Sequence, residues 1–114
     1  MNLNDYLNKL KSTPESVSFE ETISTIDEHY DFTPSAFTNG DIQNKANENN
    51  GSCKIFFFAK DQQLTEELTL QCFGDYYRID VLQNPNADDH QNIRNFISSG
   101  WAAVSFESPA LKRK

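Results

Sequence analysis

Ala36-Phe37-Thr38-Asn39-Gly40-Asp41-Ile42-Gln43 is the stretch on which the fold turns. Asn39-Gly40 signals a tight turn, because both residues tolerate the positive φ that such turns require. Ala36-Phe37-Thr38 and Asp41-Ile42-Gln43 then read as the arms of a short hairpin. Far along the chain, Trp101 to Glu107 alternates, with Ala102, Val104 and Phe106 on one side. That is the period of a strand. A strand needs hydrogen-bonding partners, and the Asn39-Gly40 hairpin is the nearest supply. The expected fold is therefore α+β: a mainly helical single domain with a small β-sheet, made of this hairpin and a C-terminal strand over 101–107.

The rest of the chain reads mostly as helix. Leu3, Tyr6, Leu7 and Leu10 recur at i, i+3, i+4 and i+7, and Thr13-Pro14 ends that stripe. Ser18 with Glu21 is a capping box, followed by Phe19, Ile23, Ile26 and Tyr30 on one face. Asp31-Phe32-Thr33-Pro34 breaks the period. Asn44 to Gly51 is rich in asparagine and has no apolar period, so it reads as an exposed loop of a kind that often carries function.

Ser52 is placed to cap the next helix. Cys53, Ile55, Phe56, Phe57, Phe58 and Ala59 are apolar all round, which fits a buried helix or a central strand; a helix is preferred, with Lys54 and Lys60 reaching water. Thr65-Glu66-Glu67 starts another helix, continued by Leu68, Cys72, Phe73 and Tyr76. After Gly74 two periods compete. Tyr77, Ile79 and Val81 alternate like a strand, whereas Leu70, Phe73, Tyr77 and Val81 fit a helical stripe, and helix is preferred. Asn84-Pro85 is a turn, Asp88 or Asp89 caps a last helix, and Gly100 ends it.

Composition narrows the function classes. The chain has 114 residues, enough for one domain, read as 1–108 with a solvated basic tail at 109–114. Nine phenylalanines, four tyrosines and Trp101 supply a core that needs no metal or disulfide. With 17 acidic residues against 10 basic ones, the net charge is −7. That charge repels phosphate backbones and anionic membranes, so neither nucleic acid nor membrane is an expected partner. The longest apolar run, Ile55 to Ala59, is too short to span a bilayer. Cys53 and Cys72 lack metal or redox spacing, and Met-Asn-Leu-Asn-Asp is not a secretory signal, so both are expected as free thiols.

The segment from Cys72 to Trp101 packs tyrosines, arginines, aspartates and His90 among apolar residues. Such groups must be paired or wet where their neighbours are buried. On a helical wheel, Ile93, Phe96 and Ile97 define the apolar face of the last helix, with His90 and Arg94 on one margin and Asn92 on the other. A histidine and an arginine so placed suit an anion or general-acid site. The plainer alternative bonds His90 to a local carbonyl and pairs Arg94 with an acid. The candidate pocket joins His90, Arg94, Tyr77 and Arg78 to the 47–54 segment, with Asn50 and Lys54 as its donors. Asp75 and Arg78 are placed for a surface pair. A Cys–His nucleophile pair is disfavoured, because both cysteines lie in apolar runs. Asp88, Asp89 and His90 are adjacent and point apart on a helix, so no metal site is expected, and no cofactor motif occurs.

Several blocks, in one order, resemble the bacterial HopJ type III effector family: His29-Tyr30-Asp31-Phe32-Thr33-Pro34 with Ala36-Phe37 and Asn39-Gly40; Asn50-Gly51-Ser52-Cys53-Lys54; Cys72 to Arg78 with Asp80-Val81-Leu82; and Asp89 to Arg94 with Gly100-Trp101. The likeness spans roughly Leu3 to Phe106 and departs from the family at Asn86-Ala87, where the turn after Pro85 usually carries a glycine. The family is named for proteins that plant pathogens pass into host cells through a type III needle, although relatives are widespread in other bacteria. The resemblance implies an effector that binds a host protein or a small ligand. It would be made in the bacterial cytoplasm and could be delivered into a host cell. It carries over no catalytic residue. The alternatives are a resident cytoplasmic protein that is not secreted, and a small enzyme using His90 with Tyr77 or an acid.

Overall fold

Three consecutive phenylalanines organise the molecule. The computed structural model describes residues 2–114 and places Phe56, Phe57 and Phe58 on helix α3, Asn50–Asp61. Phe58 meets Tyr6 of α1 (Leu3–Ser12) and Tyr30 of β1 (Tyr30–Phe32), with ring centroids 6.0 and 5.8 Å away. Phe56 points the other way, to Phe73 at 5.4 Å and to Phe96 of α5 (Gln91–Ser99) at 4.9 Å. Phe57 turns to Phe106 of β4 (Val104–Phe106) at 5.2 Å. A helix with layers on several sides must be apolar all round, which is why this run shows no single stripe. Full burial of one such ring stabilises the fold by about 1.5–3 kcal/mol.

The flanking helices follow their sequence signals. Asn2 accepts the Asp5 amide at 2.8 Å to start α1. Ser18 accepts the Glu21 amide to start α2, Phe19–His29. Glu21 does not complete the box; its carboxylate takes the Lys9 ammonium at 2.9 Å and ties α2 to α1. Thr65 caps α4, Glu66–Gln71, by accepting the Leu68 amide.

Strands β2 (Phe37–Asn39) and β3 (Ile42–Asn44) form the expected hairpin, and β4 pairs antiparallel with β2, giving the order β3-β2-β4. Phe37 stands opposite both Asn44 and Phe106. The C-terminal strand is shorter than 101–107. Trp101–Ala103 is a 3₁₀ turn, because Trp101 swings inward onto Phe96 and donates its indole N–H to the Leu64 carbonyl at 3.3 Å. Ala102 is consequently exposed.

The segment expected as a loose basic tail contains a strand. β5, Leu111–Arg113, pairs antiparallel with β1, and Ala110 and Leu111 are buried. Two buried apolar residues and the otherwise open edge of β1 outweigh the fraying tendency of three like charges.

Between α4 and α5 the chain forms a π-helix, Tyr76–Val81, with the Leu82 amide donating to the Tyr77 carbonyl five residues back. Leu70, Phe73, Tyr77 and Val81 are buried, as the helical stripe requires. Gly74 makes the junction with φ of 63°; a Cβ there would lie 2.6 Å from the Phe19 amide nitrogen.

Two helix starts differ from expectation. α3 begins after Asn49 instead of at Ser52, and α5 begins after His90 instead of after Asp88 or Asp89. Both preceding residues adopt the left-handed conformation, with φ of 54° and 49°. The wheel of α5 is rotated accordingly: Ile93 and Phe96 are buried, Asn92 is 7% exposed, and Ile97 is 47% exposed.

Candidate functional site

The N-termini of α3 and α5 open into one cleft of about 350 Å³, between Asn49, Gly51 and Ser52 on one side and His90, Gln91 and Asn92 on the other. The first amides of a helix have no acceptor within it and carry its positive pole. Neither start is capped by its own side chain. Phe19, Phe73 and Tyr76 form the apolar wall, and no carboxylate occurs among the described lining residues. Gly51 lets Phe19 close over the helix start; a Cβ there would come 2.8 Å from the Phe19 ring.

An asparagine ladder holds the two helix ends in place. Asn39 donates to the Asn92 carbonyl at 2.7 Å and to its side-chain oxygen at 3.1 Å. Asn44 and Asn92 exchange two side-chain bonds of 3.1 Å, and Asn49 donates to the Asn44 Oδ1 at 2.7 Å. The ladder runs from the start of α5 through β2 and β3 to the start of α3. Asn39, Asn44 and Asn92 are buried, and their cross-bonded amides fix the geometry.

His90 is the ionisable group best placed to act on a ligand. Its ring stacks on Tyr76 at 5.1 Å and 29°, and Tyr76 rests on Phe19 at 4.9 Å. Its Nε2 lies 3.0 Å from Asp80 Oδ2. A carboxylate only accepts, so Nε2 is the protonated nitrogen and Nδ1 is left as the second site.

The other expected site residues separate. Arg94 lies behind His90, outside the cleft lining. It donates to Asp89 Oδ1 and to the Asp89 carbonyl, both at 2.6 Å, and to the Asn84 carbonyl at 2.9 Å. That clamp closes the turn before α5, and the hydrogen bond from Arg94 is the main cause holding the Asp89 carboxyl below its ordinary range. Arg78 points the opposite way, donating to the Pro14 carbonyl at 3.1 Å, to Gln71 Oε1 at 2.8 Å and to the Val17 carbonyl. It fastens the π-helix to the α1–α2 connection, and its approach to Asp75 is only 3.9 Å. Lys54 pairs with Asp27 at 2.8 Å and sits over the Phe32 ring. Tyr77 is buried, and its hydroxyl pKa is raised by burial first and by Glu67 second. Asn50 is the first residue of α3 but does not line the cleft.

Asn49, Gly51 and Ser52 fall within the 47–54 segment expected at the pocket, and they line the cleft. Tyr76, Asn92 and Asp80 were not among the expected pocket residues. The choice between Tyr76 and Tyr77 depends on the π-helical period, which no simple wheel supplies.

Asp80, Asp89 and His90 offer one ligand atom each, all within 4.8 Å of one another. Two carboxylates and an imidazole can hold a divalent cation, but here His90 is bonded to Asp80 and Asp89 to Arg94, so a metal would have to displace both pairs. Both cysteines are buried free thiols outside the cleft lining. Burial pushes the Cys72 thiol up to about 12 and raises Cys53 as well. Neither has the thiolate character of a nucleophile. No helix among the described residues is long and apolar enough to cross a membrane.

Fold and site together define a small α+β domain with an open polar cleft at two helix N-termini. The HopJ family, described as HopJ type III effector protein, matches residues 3–111, and the chain belongs to it. A solved structure described as "Crystal structure of unknown function protein VPA0580" is 55% identical, covers 100% of this chain and 95% of its own, and superposes with a TM-score of 0.99. No curated protein matches the chain.

Proposed function

We propose that this HopJ-family chain acts by binding, and that the cleft between α3 and α5 takes a small ligand through an anionic group, a carboxylate or a phosphate. The carrying observation is the convergence of two side-chain-uncapped helix N-termini on a cleft whose described lining residues include His90 and no carboxylate. Helix starts of this kind favour anions through free amides and the helix dipole. The wall of Phe19, Phe73 and Tyr76 supports a planar apolar portion beside the charge. In this reading the protein is made in the bacterial cytoplasm and delivered into a host cell as an effector, where it sequesters or senses the ligand.

Calorimetric titration with phenyl phosphate and benzoate tests the cleft, with benzyl alcohol as the neutral control. The expected result is saturable binding of the two anions and none of the alcohol. Equal heats for all three, or none at millimolar concentration, overturn the proposal. Delivery is tested separately, with a reporter fused to the chain in a strain carrying or lacking a type III system; appearance in host cells from both strains, or from neither, refutes that part.

A further inference from the structure

Of the large exposed apolar side chains among the described residues, Tyr76 lines the ligand cleft, and the others lie on or just after the π-helix and on α5: Ile79 at 45%, Leu82 at 53% and Ile97 at 47%. Scattered exposed apolar residues are ordinary, but a cluster is not. Leu82 and Ile97 face one another across a groove of about 260 Å³, floored by Val81 and bounded by Pro85 and Arg94. This groove lies beyond Asp80 and Asp89 from the ligand cleft and shares no lining residue with it.

The charges around it are lopsided. Asp80 and Asp89 present side chains that are 42% and 53% exposed, and Asp88 is exposed too. Arg94, which lines the groove, is 13% exposed and is paired with Asp89 at 2.6 Å, so Asp80 and Asp88 carry the excess negative charge of the rim. The rim therefore offers negative charge to solvent on a chain whose net charge is −7. An anionic membrane or a nucleic acid would be repelled, and so would a second copy bringing the same acidic rim.

We propose that the groove between the π-helix and α5 is a docking surface for a basic amphipathic segment of a partner protein. Apolar residues of one helical face would seat between Leu82 and Ile97, with Ile79 alongside. Lysines or arginines flanking that face would meet Asp80 and Asp88. This is helix-in-groove recognition with charge selecting the partner. The π-helix fits the role, because its wider turn brings Ile79 and Leu82 outward while Tyr77 and Val81 stay buried.

The test titrates the isotope-labelled full chain with a synthetic 18-residue helical peptide carrying leucine on one face and lysine on the other. Two controls replace its lysines by glutamate or its leucines by serine. The expected result is a saturable NMR shift of the Ile79, Leu82 and Ile97 amides with the leucine–lysine peptide alone. Affinity should fall at least tenfold in the double variant Leu82→Ser, Ile97→Ser and weaken with added salt. Both side chains are about half exposed, and an unchanged melting temperature verifies the variant's fold. Binding of the serine–lysine peptide with equal strength would reduce the site to nonspecific charge attraction and overturn the proposal. So would shifts elsewhere on the surface, equal binding of the glutamate peptide, or a dimer of the free chain that dissociates in the double variant.

Discussion

Replacing Arg78 by methionine should destabilise the protein without weakening the ligand cleft. The guanidinium is 17% exposed and holds the Pro14 carbonyl, the Val17 carbonyl and Gln71. The acceptors are not equivalent. The Pro14 carbonyl also accepts the Val17 amide, and the Gln71 side chain is only half-buried and can turn to water. Val17 is fully buried, so its carbonyl loses its charged donor with no ready replacement. A hydrogen bond to a charged group contributes about 1.5–3 kcal/mol, and orphaning a buried acceptor costs about 1–3 kcal/mol. These are overlapping descriptions of one loss, so the weaker contacts add little and the total is about 3 kcal/mol. Methionine preserves most of the stem's packing. For a domain of this size that loss lowers Tm by about 12 °C. Urea unfolding followed by circular dichroism supplies the free energy, and titration of the folded variant with phenyl phosphate supplies the affinity. A loss below about 0.5 kcal/mol, the range of an ordinary surface change, would refute the clamp. A fall in ligand affinity with stability intact would return Arg78 to the binding site.

Two further outcomes rest on the same geometry. Cys72 has its pKa raised from 9.0 to about 12, so the unfolded chain releases this proton at lower pH than the folded one. Stability is then full below pH 9.0 and falls as pH rises toward 12, by about 1.4 kcal/mol per unit. Tyr6, also raised by burial, steepens the loss above its ordinary value of 10.0. Denaturation at pH 8 and pH 10 should show this slope in the wild type and a smaller one in Cys72→Ala; identical slopes would contradict it. His90→Asn keeps a residue that tolerates positive φ and should leave Tm within about 2 °C, because a part-exposed hydrogen bond to Asp80 contributes little. It should weaken phenyl phosphate several-fold, whereas a large thermal loss would make His90 a structural residue.

The helices and the hairpin were legible because each carries a local signal: a stripe, a cap, or Asn39-Gly40. The shorter strand at Val104 was not, because the inward turn of Trp101 depends on Leu64 and Phe96, which are remote in sequence. β5 was hidden for the same reason, since three terminal charges look solvated until the edge of β1 supplies a partner. For the site, Tyr77 was expected at the pocket, but it is buried with Leu70, Phe73 and Val81 on the helical stripe, and Tyr76 stacks on His90 instead. Placing the start of α5 at an aspartate put His90 on a helical face alongside Arg94. With the start after His90, the imidazole stays at the helix mouth and Arg94 folds back onto Asp89. The asparagine-rich stretch supplied more than a connector, because Asn44 and Asn49 belong to the ladder that holds both helix ends.

The most direct test of the cleft is the phenyl phosphate affinity of Ser52→Asp. Ser52 lines the cleft in the first turn of α3. An aspartate there favours the helix through its dipole, by about 0.3–1 kcal/mol, while placing a negative charge where the ligand's would sit. Two helix N-termini acting as an anion site predict at least a tenfold loss of affinity with Tm unchanged or raised. Undiminished binding in a variant that folds and melts like the wild type would contradict the account.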